Sequence, residues 1–329
     1  MANSEKFVYN ATIEKYATYA RNATTIEVLG EACKRMNIAD HIFMGKIELW
    51  VAKHVLSALY RTLKKYPCLR RSLNYFGTLN GLKRNKDVII DETLKKLKSA
   101  PNGGMPFGGG GMPFGGYPNS SGMPFGGGGM PFGGGGMPFG GGGMPSGGGG
   151  MPFGGGMPFG GGSTEQQFRQ MLNQRIEQTY QEVLGAFKNS AVAVALTFSV
   201  GPFSIGAVVI NGKTMMQQNV TQIFERDVLY GFHPIGCDTV KATVEHEFGH
   251  MLDYLLGISH SHEFNSIIQQ YDGYYIAQNL SQYSVMNPSS APQEIVAEAY
   301  AEYCNNPSPR RIAVQVGRLI DAKYKQRFG

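Results

Sequence analysis

Residues 238–257 read DTVKATVEHEFGHMLDYLLG and carry the pentapeptide His246-Glu247-Phe248-Gly249-His250. Asp238 or Thr239 stands where an N-cap belongs and Gly257 breaks the pattern at the far end, so the stretch predicts one amphipathic helix. On a helix, positions i and i+4 share a face, which brings both imidazoles to a single ion. Glu247 follows the first imidazole directly and can reach a water at that ion as a general base. Zinc suits imidazole nitrogen, and a catalytic zinc site needs three protein ligands with a fourth position left for water.

The third ligand has to come from elsewhere. Asp253 and Leu256 occupy the positions where the metzincin extension requires Gly and His, which excludes that subclass. His260 and His262 follow the Gly257 break and read as loop histidines. Downstream, residues 294–302 read EIVAEAYAE, with Glu294, Glu298 and Glu302 at i, i+4 and i+8 of a helix expected over about 291–305. Ile295, Val296, Ala299, Tyr300 and Tyr303 leave this helix no clean polar side. A carboxylate buried beside the His-bearing helix fits that pattern better than a solvated acidic face.

Upstream of the pentapeptide, Ala191–Ser199 reads as a buried strand. Ser204–Ile210 and Lys213–Gln217 flank Asn211-Gly212, a strong short-range hairpin signal. A further helix is expected near 308–326. Strands followed by helices point to the α+β class, with a small twisted sheet and active-site helices.

Between residues 102 and 162 the unit Met-Pro-Phe plus three or four Gly repeats, beginning at Met105, Met112, Met123, Met130, Met137, Met144, Met151 and Met157, with Ser146 replacing one Phe. Much of the chain's total of 46 Gly falls here. Such a segment loses too much entropy on ordering and has too little apolar surface to offset it, so it reads as a disordered linker over 101–163. Its regularly spaced Phe and Met could alternatively bind a partner.

The first 100 residues read as helical, with segments near 11–36 and 43–66, the second closed by Pro67, and a short helix over Leu69–Leu82. Ile47, Leu49, Trp50, Val55, Leu56 and Leu59 form a broad apolar face. The helix after the repeat, Thr164–Phe187, also needs a partner for Phe168, Met171, Leu172, Ile176, Tyr180, Val183 and Leu184. Two organisations fit: helices on both sides of an inserted repeat packed as one domain, or a separate helical region at 1–100 and a catalytic domain at 164–329.

A formal net charge of +6 spread over the chain indicates solvated helix faces rather than a nucleic-acid surface. Cys33, Cys68, Cys237 and Cys304 form no C-x-x-C pair and no disulfide framework, consistent with reduced thiols in a cytosolic setting. The N-terminal segment has no apolar h-region, and no apolar run is long enough to span a bilayer, so no membrane association is expected.

HEFGHMLD at 246–253 followed by EIVAEAY at 294–300 resembles the catalytic domain of the anthrax lethal factor-like zincins, which are gluzincin-like metallopeptidases. The stretch Phe232–Lys241, FHPIGCDTVK, is similar to versions encoded by phages and prophages. The resemblance covers about 225–305. It implies Zn2+ held by His246, His250 and Glu294, with Glu247 as the base that activates water. It implies a place beside the ligands for Glu298, hydrogen-bonding a ligand imidazole, and Asp253, one turn after His250, could do the same. Tyr283 would stabilise the oxyanion, although its separation from Glu294 is several residues longer than in that family; Tyr274 and Tyr275 are alternatives.

The function so implied is a zinc-dependent endopeptidase acting on a protein or peptide substrate through a metal-activated water. It would be cytoplasmic, or virion-associated if phage-encoded. The alternative, from another class, is a virion-associated structural protein that keeps a zinc-binding zincin fold and assembles through its repeat. The hairpin at Asn211-Gly212 is expected to offer an edge strand to an extended peptide.

Overall fold

The computed structural model describes residues 7–45, 47–98, 164–188, 193–200, 203–215 and 220–329. The Met-Pro-Phe repeat, read above as a disordered linker, lies outside these residues. Helices α1 (Ala11–Arg21) and α2 (Ile26–Met36) are followed by strand β1 (His41–Phe43) and helix α3 (Leu49–Lys65). A 3-10 turn at Pro67–Ser72 leads into β2 (Tyr75–Thr78), α4 (Leu79–Arg84) and α5 (Lys86–Lys98). Beyond the repeat come α6 (Thr164–Lys188), β3 (Ala193–Val200), β4 (Phe203–Ile210), α7 (Gly212–Met215) and α8 (Val220–Leu229). The C-terminal part is helical: α9 (Val240–Leu256), α10 (His262–Ile268), α11 (Gly273–Asn279), α12 (Tyr283–Met286), α13 (Ala291–Asn305) and α14 (Arg311–Phe328). The class is α+β, mostly helical with one small sheet.

The sheet has four strands in the order β1-β2-β4-β3. β1 runs parallel to β2, and β2 parallel to β4, with Tyr75 opposite Ala207 and Thr78 opposite Ile210. β3 closes one side antiparallel to β4, with Ala193 opposite Ile210 and Val200 opposite Phe203. Strands from both sides of the repeat therefore share one sheet. On one face, Leu172, Ile176 and Val183 of α6 are buried with Leu82, Ile89, Ile90 and Leu94 of α4 and α5. The other face belongs to the main core, where Phe76 of β2 stacks on Phe248 of α9, ring centroids 6.1 Å apart.

Several sequence expectations are corrected. Leu69–Leu82 is not a helix but a 3-10 turn, the strand β2 and the start of α4. β2 is buried at every residue, so it lacks the polar-apolar alternation that marks a strand from sequence. The helix expected over 11–36 is broken between Arg21 and Ile26, where Thr25 caps α2 through Val28 N–H. Trp50 stands 43% exposed and lies off the apolar face, whereas Ile47, Val55, Leu56 and Leu59 are buried.

Asn211-Gly212 is not a hairpin turn. β4 ends at Ile210 and Gly212 opens the short helix α7. Both sides of β4 are taken, one by the preceding strand β3, with Val200 opposite Phe203, and the other by β2. With β4 paired on both sides, it has no free edge for a strand following Asn211-Gly212. Among the described residues, no helix is long and apolar enough to cross a membrane.

Candidate metal centre

Helix α9 begins where the sequence placed it, with Thr239 Oγ1 accepting Ala242 N–H. It ends at Gly257, whose φ of 66° is the left-handed C-cap that favours Gly. Asp253 Oδ1 accepts Ser259 N–H at 2.6 Å, tying the chain after the cap back to the helix. His246 and Glu247 are buried on α9, and His250 lies beside them, partly buried. Helix α13 packs along α9 and carries Glu294, Glu298 and Glu302, all three buried, where the sequence pattern favoured a buried carboxylate over a solvated acidic face.

The two helices place three ligand-type atoms together. His246 Nε2 and His250 Nε2 are 3.1 Å apart, and Glu294 Oε2 lies 3.5 Å from each. Glu294 Oε2 is fully buried with no hydrogen-bond partner. An unpaired carboxylate oxygen facing two ring nitrogens is costly unless a cation completes the group. Among the described residues, His246, His250 and Glu294 form the cluster able to hold a metal ion. His260 and His262 are exposed and take no part in it.

The three glutamates of α13 have distinct surroundings. Glu294 faces the ligand pair. Glu298 Oε1 sits 2.7 Å from His246 Nδ1, so it addresses the ring nitrogen opposite the cluster. Glu302 receives Arg310 through Nε and Nη2 and through the backbone N–H. Arg310 in turn donates to Leu280 O, fixing the chain three residues before Tyr283.

Glu247 Oε2 accepts the backbone N–H of Ala195 at 2.5 Å. Ala195 belongs to β3, the edge strand, so the edge beside the centre is β3 and not the hairpin anticipated at Asn211-Gly212. Tyr283 opens α12, and its ring centroid is 5.9 Å from that of His246. The long interval between Tyr283 and Glu294 is taken up by α12 and the turn before α13. Of the alternatives, Tyr274 is 77% exposed and Tyr275 stacks on Tyr271.

The electrostatics favour positive charge in the centre. Burial alone would raise the Glu294 and Glu298 carboxyls, but neighbouring imidazoles overcome it, His250 and His246 for Glu294 and His233 and His246 for Glu298. Both carboxyls end below the usual range. Burial would likewise strip the proton from His246, yet Glu294 and Glu298 hold its pKa well above the ordinary imidazole value. Glu247 goes the other way: burial raises its pKa, and the imidazoles offset this only in part. Burial and the charges of Glu294, Glu298 and Glu247 raise Tyr283, keeping its hydroxyl protonated as a hydrogen-bond donor.

Sequence reasoning missed two residues of this surrounding. His233, on the loop after α8, turns Nδ1 toward both Glu298 oxygens, at 3.3 and 3.4 Å. Glu245, fully buried, pairs with Arg61 of α3 and accepts Asn305 Nδ2 at 2.5 Å. His233 has no partner at helical spacing in the sequence, and Glu245 has Lys241 one turn before it on α9. The only hint for Glu245 was a charge where an amphipathic helix should be apolar.

The chain matches no protein-family model, no curated protein and no solved structure. What its described residues hold in common is one buried group, His246, His250 and Glu294, that could hold a metal ion.

Proposed function

We propose that the protein is a zinc-dependent endopeptidase. The observation that carries this reading is the triangle of His246 Nε2, His250 Nε2 and Glu294 Oε2, with edges of 3.1, 3.5 and 3.5 Å. Four-coordinate zinc with bonds of about 2.0–2.1 Å spaces its ligand atoms about 3.3 Å apart, so the three donors fit that ion. Two imidazoles and one carboxylate also form a donor set that zinc hydrolases use. Bound there, zinc supplies Lewis acidity toward a carbonyl oxygen and lowers the pKa of water.

The chain's own groups account for the remaining steps. Glu247, next to His246 in sequence, takes the proton of the attacking water and delivers it to the leaving amine. Glu298 holds the His246 ring from its Nδ1 side. The Tyr283 hydroxyl, kept protonated, donates to the oxyanion of the tetrahedral intermediate. Among the described residues β3 ends the sheet beside Glu247, which accepts Ala195 N–H, and an extended peptide lies along that strand by strand addition. Because recognition of this kind runs through backbone hydrogen bonds, the substrate is an extended polypeptide segment.

The test is cleavage of a mixed peptide library by the zinc-loaded protein and by its Glu247→Gln variant. Wild type should cut and the variant should not, while both bind metal. A wild type that binds zinc and cuts no peptide or unfolded protein would overturn the peptidase reading.

A further inference from the structure

We infer that His233 is a positioning residue of the metal centre, holding Glu298 against His246 and Tyr283 in its place. The inference rests on the zinc peptidase reading given above. Its ground is a relay of side chains from four separate segments. His233 comes from the loop after α8, Glu298 from α13, His246 from α9, and Tyr283 from α12.

Glu298 is 2% exposed at its side chain and has two imidazole neighbours. His246 Nδ1 lies 2.7 Å from Oε1, and His233 Nδ1 lies between the oxygens at 3.3 and 3.4 Å. A buried carboxylate is costly unless its oxygens are satisfied. His246 covers one side, and among the described residues His233 supplies the other donor. Without it, Glu298 would keep a single partner and could tilt or take up a proton. Either change loosens the orientation and tautomer of the ligand ring it faces.

The same imidazole also borders the candidate oxyanion donor. Its ring centroid is 5.4 Å from that of Tyr283, while Phe232 and His246 flank Tyr283 at 5.6 and 5.9 Å. The backbone holds the two segments in register: Gln282 N–H donates to Gly231 O at 3.0 Å and Tyr283 N–H to Phe232 O at 3.2 Å. Gln282 Nε2 adds a bond to Tyr230 O at 2.8 Å. His233 therefore stands where the metal side and the oxyanion side of the centre meet, at a side-chain exposure of 29%.

Three variants separate the donor from the ring. His233→Ala removes both, His233→Phe keeps an aromatic ring beside Tyr283 without a donor, and His233→Asn keeps an N–H near Nδ1. Zinc affinity is measured by competition with a chromogenic chelator, and kcat and KM on a peptide that wild type cleaves. His233→Ala and His233→Phe should each weaken zinc binding about tenfold, the lower end for partners of ligand imidazoles, while His233→Asn stays within about twofold of wild type. kcat should fall in the Ala and Phe variants with KM little changed, a split that a general packing defect would not produce. Wild type that holds zinc and cleaves, with Ala and Phe variants equal to it, would overturn this inference alone. Equal losses in all three variants would also overturn it, since the donor would then not matter. Wild type without zinc would sink the zinc reading and this inference with it.

Discussion

Gly249 of α9 lies directly against Ala297 of α13: a Cβ at position 249 would stand 2.6 Å from the Ala297 Cα. This close approach lets the helix bearing His246 and His250 sit near enough to the helix bearing Glu294 for their ligand atoms to meet. The glycine inside the HEFGH pentapeptide is thus a packing requirement, since real Cβ contacts do not occur at that distance with backbone.

Gly249→Ala should force the two helices apart. Overpacking of this kind costs about 1–3 kcal/mol, and the displacement should separate Glu294 from the imidazoles. Thermal melting and chelator competition report the two effects. A Gly249→Ala protein with wild-type metal affinity would show that α13 does not need this contact to deliver its ligand.

Glu247 and Glu298 should fail differently. Glu247→Gln should retain zinc and lose about 10²–10⁴-fold in kcat, as expected on removing a general base. Glu298→Gln should weaken zinc about 10- to 100-fold, because the carboxylate 2.7 Å from His246 Nδ1 no longer orients that ring. Zinc titration of both proteins beside their turnover rates would separate the roles, and a reversed pattern would exchange the two assignments.

Arg61 of α3 pairs with Glu245, whose carboxylate is fully buried and next to His246 in sequence. Asn305, at the end of α13, shares that carboxylate. Arg61→Ala leaves the buried charge with Asn305 as its hydrogen-bond donor and Lys241 one turn away on α9, and should destabilise the fold by about 3 kcal/mol, the low end for a broken buried pair because Arg61 is partly exposed. Replacing both with apolar residues, Arg61→Met with Glu245→Leu, should recover most of the loss. Denaturant unfolding checks it; an additive double variant would deny the pairing its energetic role.

Asp253 gives a pH signature. Burial raises its carboxyl above the ordinary value, against the opposing bonds from Ser259. For an acid whose folded pKa is raised, the ionised form destabilises the fold. That penalty is complete above the folded pKa, shrinks as pH falls through it, and is gone below the unfolded pKa. Asn at this position keeps an acceptor for Ser259 N–H and carries no charge. Metal-stripped Asp253→Asn should therefore melt above wild type at pH 7, with the gap closing toward about pH 4. A gap independent of pH would contradict the assignment.

The centre was legible where chemistry imposes spacing. His246 and His250 at i, i+4 and the three glutamates at i, i+4, i+8 define one face of a helix each, so α9 and α13 could be placed before the fold was known. The sheet was less legible. β1 is three residues long and β2 is buried throughout, so neither carries the alternation that betrays a strand. Asn211-Gly212 carries a sound local signal that a stronger pairing partner earlier in the chain overrides. His233 was hidden for a different reason: it reaches Glu298 only through the tertiary fold, and a lone histidine in a loop has no periodic partner to announce it.

The most direct test is the zinc content of the purified protein, by elemental analysis, for wild type, His246→Ala and Glu294→Gln. The account predicts about one zinc per chain in wild type, with marked loss in both variants, since each removes one of three protein ligands. No zinc in wild type supplied with the metal, or full zinc in Glu294→Gln, would contradict it.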